Sequence, residues 1–141
     1  MRTIARIVNH RGGIEPLRLT PIRLAVEGFM PLVIEYVGRG PRGQSLISVA
    51  HYFQHAGDLI ADPDLEVEVT PGPGGTLPED VRAWEPVAIQ HSTGQYTRAC
   101  WVDDEGGVRL NLREIADIRS FMRFWSRNLE EQGFLAAAKA I

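Results

Sequence analysis

Apolar side chains recur at Ile115, Ile118, Met122, Trp125 and Leu129, in steps of three and four residues, and Phe121 widens the stripe. That spacing collects them on one face of a helix, because a turn closes every 3.6 residues. Asn111 with Glu114 three residues on makes an Asx version of the capping box, and Gly133 is placed to stop the helix. A helix of about 20 residues is predicted here, its stripe covering one face of a sheet. The closing "FLAAAKAI" adds a further helical turn or frays.

The middle of the chain has a different texture. The segments at 22–27, 31–37, 45–53, 65–69, 85–91, 96–102 and 108–111 are short and rich in β-branched and aromatic residues, and turn residues separate most of them. The gaps are too short for crossover helices, so the strands pair mostly antiparallel. If Thr93-Gly94 is a two-residue turn, Cys100 faces Val87 and His91 faces Tyr96. Near the start, Thr3 reads as the N-cap of a short helix, "IARIVNH", with Ile4, Ile7 and Val8 on one face and Gly12-Gly13 ending it. "GIEPLRLTP" reads as a connection, and the Pro- and Gly-rich stretch at 70–80 as a mobile surface loop. The expected fold is a single α+β domain over residues 1–141. It has a short N-terminal helix, an antiparallel meander-like sheet of five to seven strands, and a long amphipathic C-terminal helix packed on one face.

Composition narrows the function classes. The 141 residues suit one domain, and 44% apolar content is enough for an ordinary core. No apolar stretch is long enough for a membrane helix, and the charged N-terminus is no secretory signal. The single cysteine, Cys100, excludes a disulfide framework, which points to a reducing cytoplasm. The net charge of −3 is unevenly spread: +4 over residues 1–43, −9 over 58–105 and +2 over 106–141. An acidic middle between mildly basic ends argues against a general nucleic-acid binder.

"GRGPRG" (38–43) spells the G-x-G-x-x-G of a pyrophosphate loop, but such a loop must open a helix. Here Ile47, Val49, His51 and Phe53 alternate with Ser48, Ala50 and Tyr52, which is strand period. The glycines therefore reverse the chain in a hairpin, and no cofactor is implied. "HYFQHAGDLIADPD" (51–64) concentrates His51, His55, Asp58, Asp62 and Asp64. His51 and His55 would share a metal-binding face on a helix, whereas a hairpin tip with a second turn at "ADPD", where Pro63 breaks pairing, leaves them as ordinary polar side chains. Cys100 and the three tryptophans, Trp84, Trp101 and Trp125, are assigned to the core. Arg119, Arg123 and Arg127 form a row along the last helix, either a solvated ridge, helped by Arg127 with Glu131, or one that holds phosphate or an acidic partner.

"TIAR", "MPLVIE", "GPRG", "ISVAHYFQHAGDLIADPDLEVEV" and "FWSRNLEEQGF" together resemble an uncharacterised bacterial family known only as a domain of unknown function. Its best-marked part has the form H-Y-x-x-Q-N-G-D-L followed by D-P. His51, Tyr52, Gly57, Asp58, Leu59, Asp62 and Pro63 match, while His55 and Ala56 replace Gln and Asn. The resemblance implies a small accessory protein of plasmids, conjugative elements or phages and carries over no catalytic residue. The leading expectation is a non-enzymatic cytoplasmic binding or regulatory protein whose partner is a basic host protein. The candidate surface is His51, Tyr52, His55, Asp58, Asp62, Asp64, Glu66 and Glu68, on the acidic hairpin. Alternating Glu66 and Glu68 would equally suit a solvated edge strand. The alternatives are a small hydrolase or transferase using His51, His55 and Asp58, and nucleic-acid binding through Arg119, Arg123 and Arg127.

Overall fold

The helical stripe and the alternating segments become one helix and one sheet packed face to face. The computed structural model describes residues 1–140. In chain order these form α1 (Arg2–His10), α2 (Ile14–Leu19), β1 (Ile22–Leu24), β2 (Leu32–Arg39), β3 (Ser45–His55), β4 (Asp58–Val69), β5 (Trp84–Gln90), β6 (Tyr96–Arg98), β7 (Cys100–Val102), β8 (Val108–Leu110), α3 (Leu112–Glu131) and α4 (Phe134–Lys139). Strands β1 to β6 are neighbours in sequence order, every pair antiparallel, and β7 pairs with β8 in a separate hairpin. This is the expected α+β meander with a long C-terminal helix.

The pleat sorts the sheet into two faces. Ile22, Ile34, Val49, Leu65 and Ile89 stand in register across β1 to β5. They join a buried cluster with Ile4 and Ile7 of α1, Leu17 of α2, Met122 and Leu129 of α3 and Phe134 of α4. All four helices thus cover the same face. α1 and α3 are also tied by polar groups inside the core. The Thr3 amide donates to Ser126 Oγ at 3.0 Å, and its hydroxyl donates to the Ser126 carbonyl at 2.5 Å. Thr3 is therefore a buried cross-link, and Met1 takes the N-cap position expected for Thr3.

Other departures have local causes. "GIEPLRLTP" contains α2, because Pro16 falls in a first turn, where its missing N–H costs nothing. The 70–80 stretch is anchored at Leu77: Asn9 Nδ2 donates to the Leu77 carbonyl at 2.9 Å, the Leu77 amide donates to Asn9 Oδ1 at 2.8 Å, and Leu77 is buried, while residues 72–74 lie exposed at the surface as expected. "ADPD" does not interrupt the hairpin. β4 runs through a cis Asp62–Pro63 peptide, and Asp62 and Pro63 together oppose the single residue His51 between the pairs Ala50–Asp64 and Tyr52–Ala61. A bulge is a place where a strand accepts proline.

The β5–β6 register is one residue off the expected one, since Gln90 pairs with Tyr96 and residues 91–95 form a longer loop. Cys100 consequently pairs with Leu110 in the small hairpin, and it is Ala99 whose amide donates to the Val87 carbonyl. Cys100 is buried as expected, whereas Trp101 lies half-buried under the Arg98 guanidinium, 5.0 Å from its ring centre. Gly133 ends α3 with φ +96°, and α4 follows it.

Candidate functional site

The glycine-rich loop does bind an anion, but one supplied by its own chain. Strand β3 starts at Ser45 with no helix after the glycines, so the loop is a hairpin connection as expected. The amides of Arg42 and Gln44 donate to the Glu68 carboxylate at 3.0–3.1 Å, and Arg42 Nη1 adds a third donor at 3.0 Å. Glu68 is fully buried. A Cβ on Gly40 would stand 2.4 Å from Glu68 Cγ and Cδ, so only glycine lets the loop close over this side chain. Arg42 also lies 3.9 Å from Glu85, and Arg119 of α3 reaches Glu85 at 3.1 Å. Two guanidiniums and two carboxylates alternate along this chain of contacts. Glu68 therefore belongs to the interior and not to an acidic surface.

The acidic residues before Glu68 have a different fate. On the face of the sheet opposite the helices, one cross-strand row reads Glu35, Ser48, Glu66, Ala88, Arg98. The next reads Arg23, Val33, Ala50, Asp64, Gln90, Tyr96. Val33, Ser48, Ala50 and Ala88 are small and buried, so the taller side chains around them stand as walls. Ser48 Oγ donates to Asp64 Oδ1 at 2.7 Å. Among the described residues, Glu35, Asp64 and Glu66 make no ion pair. Burial, and then the charge of Asp64, raise the Glu66 carboxyl above its ordinary value. Tyr52 and Tyr96 flank the acids, and both phenols are raised by burial first and then by these carboxylates. β4 lies between β3 and β5, so Glu66 and Glu68 are not edge-strand residues.

His51, His55 and Asp58 do not meet. His51 is buried on the helical side, its ring 5.4 Å from that of Trp125 and 5.5 Å from that of Phe134, with Nδ1 3.2 Å from the Pro31 carbonyl. Burial lowers its pKa against the opposing effect of those carbonyl contacts. His55 and Asp58 are exposed at the hairpin tip, about 13 Å further along the strand at roughly 3.3 Å per residue. No catalytic or metal cluster forms from these three residues. More broadly, no group of three His, Cys, Asp or Glu among the described residues is arranged to hold a metal.

The bulge instead brings Asp62 to His91, a pairing that the sequence reading did not make. His91 Nδ1 lies 3.7 Å from Asp62 Oδ1, and the Ser92 amide and hydroxyl donate to the same carboxylate at 3.2 and 2.8 Å. Burial pushes Asp62 up, but the Ser92 bonds and His91 outweigh it, and the net shift is downward. Asp62 and His91 open onto a cleft of about 340 Å³ between the sheet and α3. Signals were weak because residues 62 and 91 are far apart and the pairing depends on the bulge.

The arginine row on α3 is divided. Arg119 turns to the sheet and donates to Glu85 and to the Trp84 carbonyl, while Arg123 and Arg127 remain exposed beside Glu79 and Glu130. Arg127 and Glu131 form no ion pair. Among the described residues, no helix is long and apolar enough to cross a membrane.

Comparison with curated proteins finds no match, and none is found among solved structures. A family model described as "Domain of unknown function (DUF6908)" matches residues 2–135. Nearly the whole chain, from α1 to the start of α4, is thus covered, and the protein belongs to that family.

Proposed function

We propose that this protein is a non-catalytic binding module that engages a basic segment of a partner protein across the helix-free face of its sheet. One observation carries this reading. Glu35, Asp64 and Glu66 share that face and, among the described residues, form no ion pair, even with the Arg23 and Arg98 that belong to the two rows, and burial first and then the charge of Asp64 hold the Glu66 carboxyl up. A folded chain that keeps half-buried carboxylates together accepts electrostatic repulsion that a cationic partner would relieve. The buried Val33, Ala50 and Ala88 form a low floor for the partner's chain, and Tyr52 and Tyr96 supply rings for cation–π contact. The candidate surface is thereby narrowed to Glu35, Tyr52, Asp64, Glu66 and Tyr96. The partner as a host protein, the cytoplasm as the setting and service to a mobile element remain parts of this proposal, resting on the sequence alone.

Calorimetric titration with an octalysine peptide tests it, at about 50 mM and about 300 mM salt. Saturable binding that weakens with salt and falls in Asp64→Asn and Glu66→Gln is expected, while Glu130→Gln on α3 leaves it unchanged. Equal binding by all four proteins contradicts the reading.

A further inference from the structure

The cleft between the sheet and α3 lies on the opposite side of the sheet from the acidic rows, and nothing in its chemistry serves them. Six rings form an unbroken chain here, five of them on the lining and the sixth, Phe134, fully buried behind it. Phe29 and Phe134 are 6.5 Å apart, Phe134 and His51 5.5 Å, His51 and Trp125 5.4 Å, Trp125 and Phe121 5.5 Å, and Phe121 and His91 6.3 Å. At the mouth, Phe124 is 60% exposed and Phe29 46%, which is expensive for rings that a core could have taken in. Asp62 is the one carboxylate on the lining, and no Lys or Arg is among the lining residues. A smaller adjoining cleft of about 180 Å³ shares His91 and Phe121 and adds Glu114 and Asp117, again without Lys or Arg.

This lining selects by charge. A phosphate or carboxylate ligand would meet the Asp62 carboxylate and the negative faces of aromatic rings, with no Lys or Arg to offset them and only the Asn128 and Gln132 amides and the His51 and His91 rings as side-chain donors. A cation with an alkyl shell meets favourable quadrupoles on the rings and a counter-charge on Asp62. Asp62 is held in place by Ser92, which donates to both of its oxygens, with His91 Nδ1 3.7 Å from Oδ1; a carboxylate has about four acceptor positions, so capacity is left over beyond these partners. We propose that this cleft is a binding site for an organic cation, either a quaternary ammonium or an alkylated guanidinium head, with Phe121, Phe124 and Trp125 around the head and Asp62 as its counter-ion. The volume of about 340 Å³ admits a head group of this kind with a short tail.

The test is an NMR titration of the ¹⁵N-labelled protein with choline, with its uncharged carbon isostere 3,3-dimethylbutan-1-ol, and with N-acetyl-arginine methylamide. Saturable shifts at residues 121–128 with choline or the arginine derivative, at least about fivefold tighter than with the isostere, are expected. Choline alone identifies a free small molecule as the source of the cation, and the arginine derivative alone identifies a protein side chain. Asp62→Asn keeps an acceptor for Ser92 and should weaken binding about tenfold. Phe124→Ala removes a mostly exposed ring without touching the core and should weaken it as well. Equal affinity for the isostere, or affinity unaffected by both substitutions, overturns the proposal. Glu66→Gln leaves this binding unchanged, which separates its outcome from that of the acidic face.

Discussion

The carboxylate of Glu68 and the guanidinium of Arg42 meet at 3.0 Å in the protein interior, and the loop that carries Arg42 closes over the carboxylate with two backbone amides. Removing one partner of a buried, hydrogen-bonded pair leaves the other charge without compensation. Glu68→Ala should therefore cost about 3–5 kcal/mol of folding stability in urea titration. Gly40→Ala should cost about 1–3 kcal/mol through the clash with the same side chain. A loss below measurement error in both variants would mean that the loop does not anchor β4.

The β3–β4 turn offers a stabilising substitution. Ala56 has φ +52° and Gly57 φ +86°, the pair of left-handed conformations of a two-residue hairpin turn. Alanine is strained there by its Cβ, whereas asparagine visits that region readily. Ala56→Asn should raise stability by about 1 kcal/mol, seen as a higher melting temperature in calorimetry. Ala56→Val should lower it.

His51 gives the fold an acid sensitivity with a definite sign. Its folded-state pKa lies below the ordinary 6.5, chiefly because it is buried. The unfolded chain therefore takes up this proton first as the pH falls. Stability contributed by neutral His51 is complete above about pH 6.5, declines below it, and levels off once the folded-state value is passed. His51→Gln keeps a donor for the Pro31 carbonyl and removes the titration. Melting temperatures measured between about pH 5 and pH 7.5 should fall less steeply on acidification in that variant.

Glu66 behaves in the opposite sense. Its folded-state pKa is raised, so the folded chain holds the proton more readily than the unfolded one. Its contribution is most favourable at low pH and is lost as the pH rises from the ordinary carboxyl value of 4.5 through the raised one. At neutral pH, Glu66→Gln should melt higher than the wild type. A gain in stability paired with a loss of peptide binding would show that the residue is kept for recognition.

The elements whose period is long and regular were legible in the sequence. The α3 stripe, its Asn111 cap, whose Oδ1 accepts from the Glu114 amide, and the extended run from Ser45 all follow from local spacing. Fates decided by distant contacts were not. Glu66 and Glu68 sit two residues apart on the same face of one strand, and alternation cannot tell which will be capped by a loop 24–26 residues away. Pro63 reads as a strand breaker until the bulge opposite His51 accommodates it, and that bulge is also what carries Asp62 to His91. Pro16 reads as a connection until it falls within the first turn of α2.

Mapping a bound basic peptide onto the sheet tests the recognition surface most directly. Amide shift changes on adding octalysine at low salt should cluster at Glu35, Ser48, Asp64, Glu66 and Ala88, vanish at high salt, and be absent from Asp64→Asn/Glu66→Gln. Shifts confined to the exposed flank of α3 and the 103–107 turn, with the β4 amides unmoved, would contradict it.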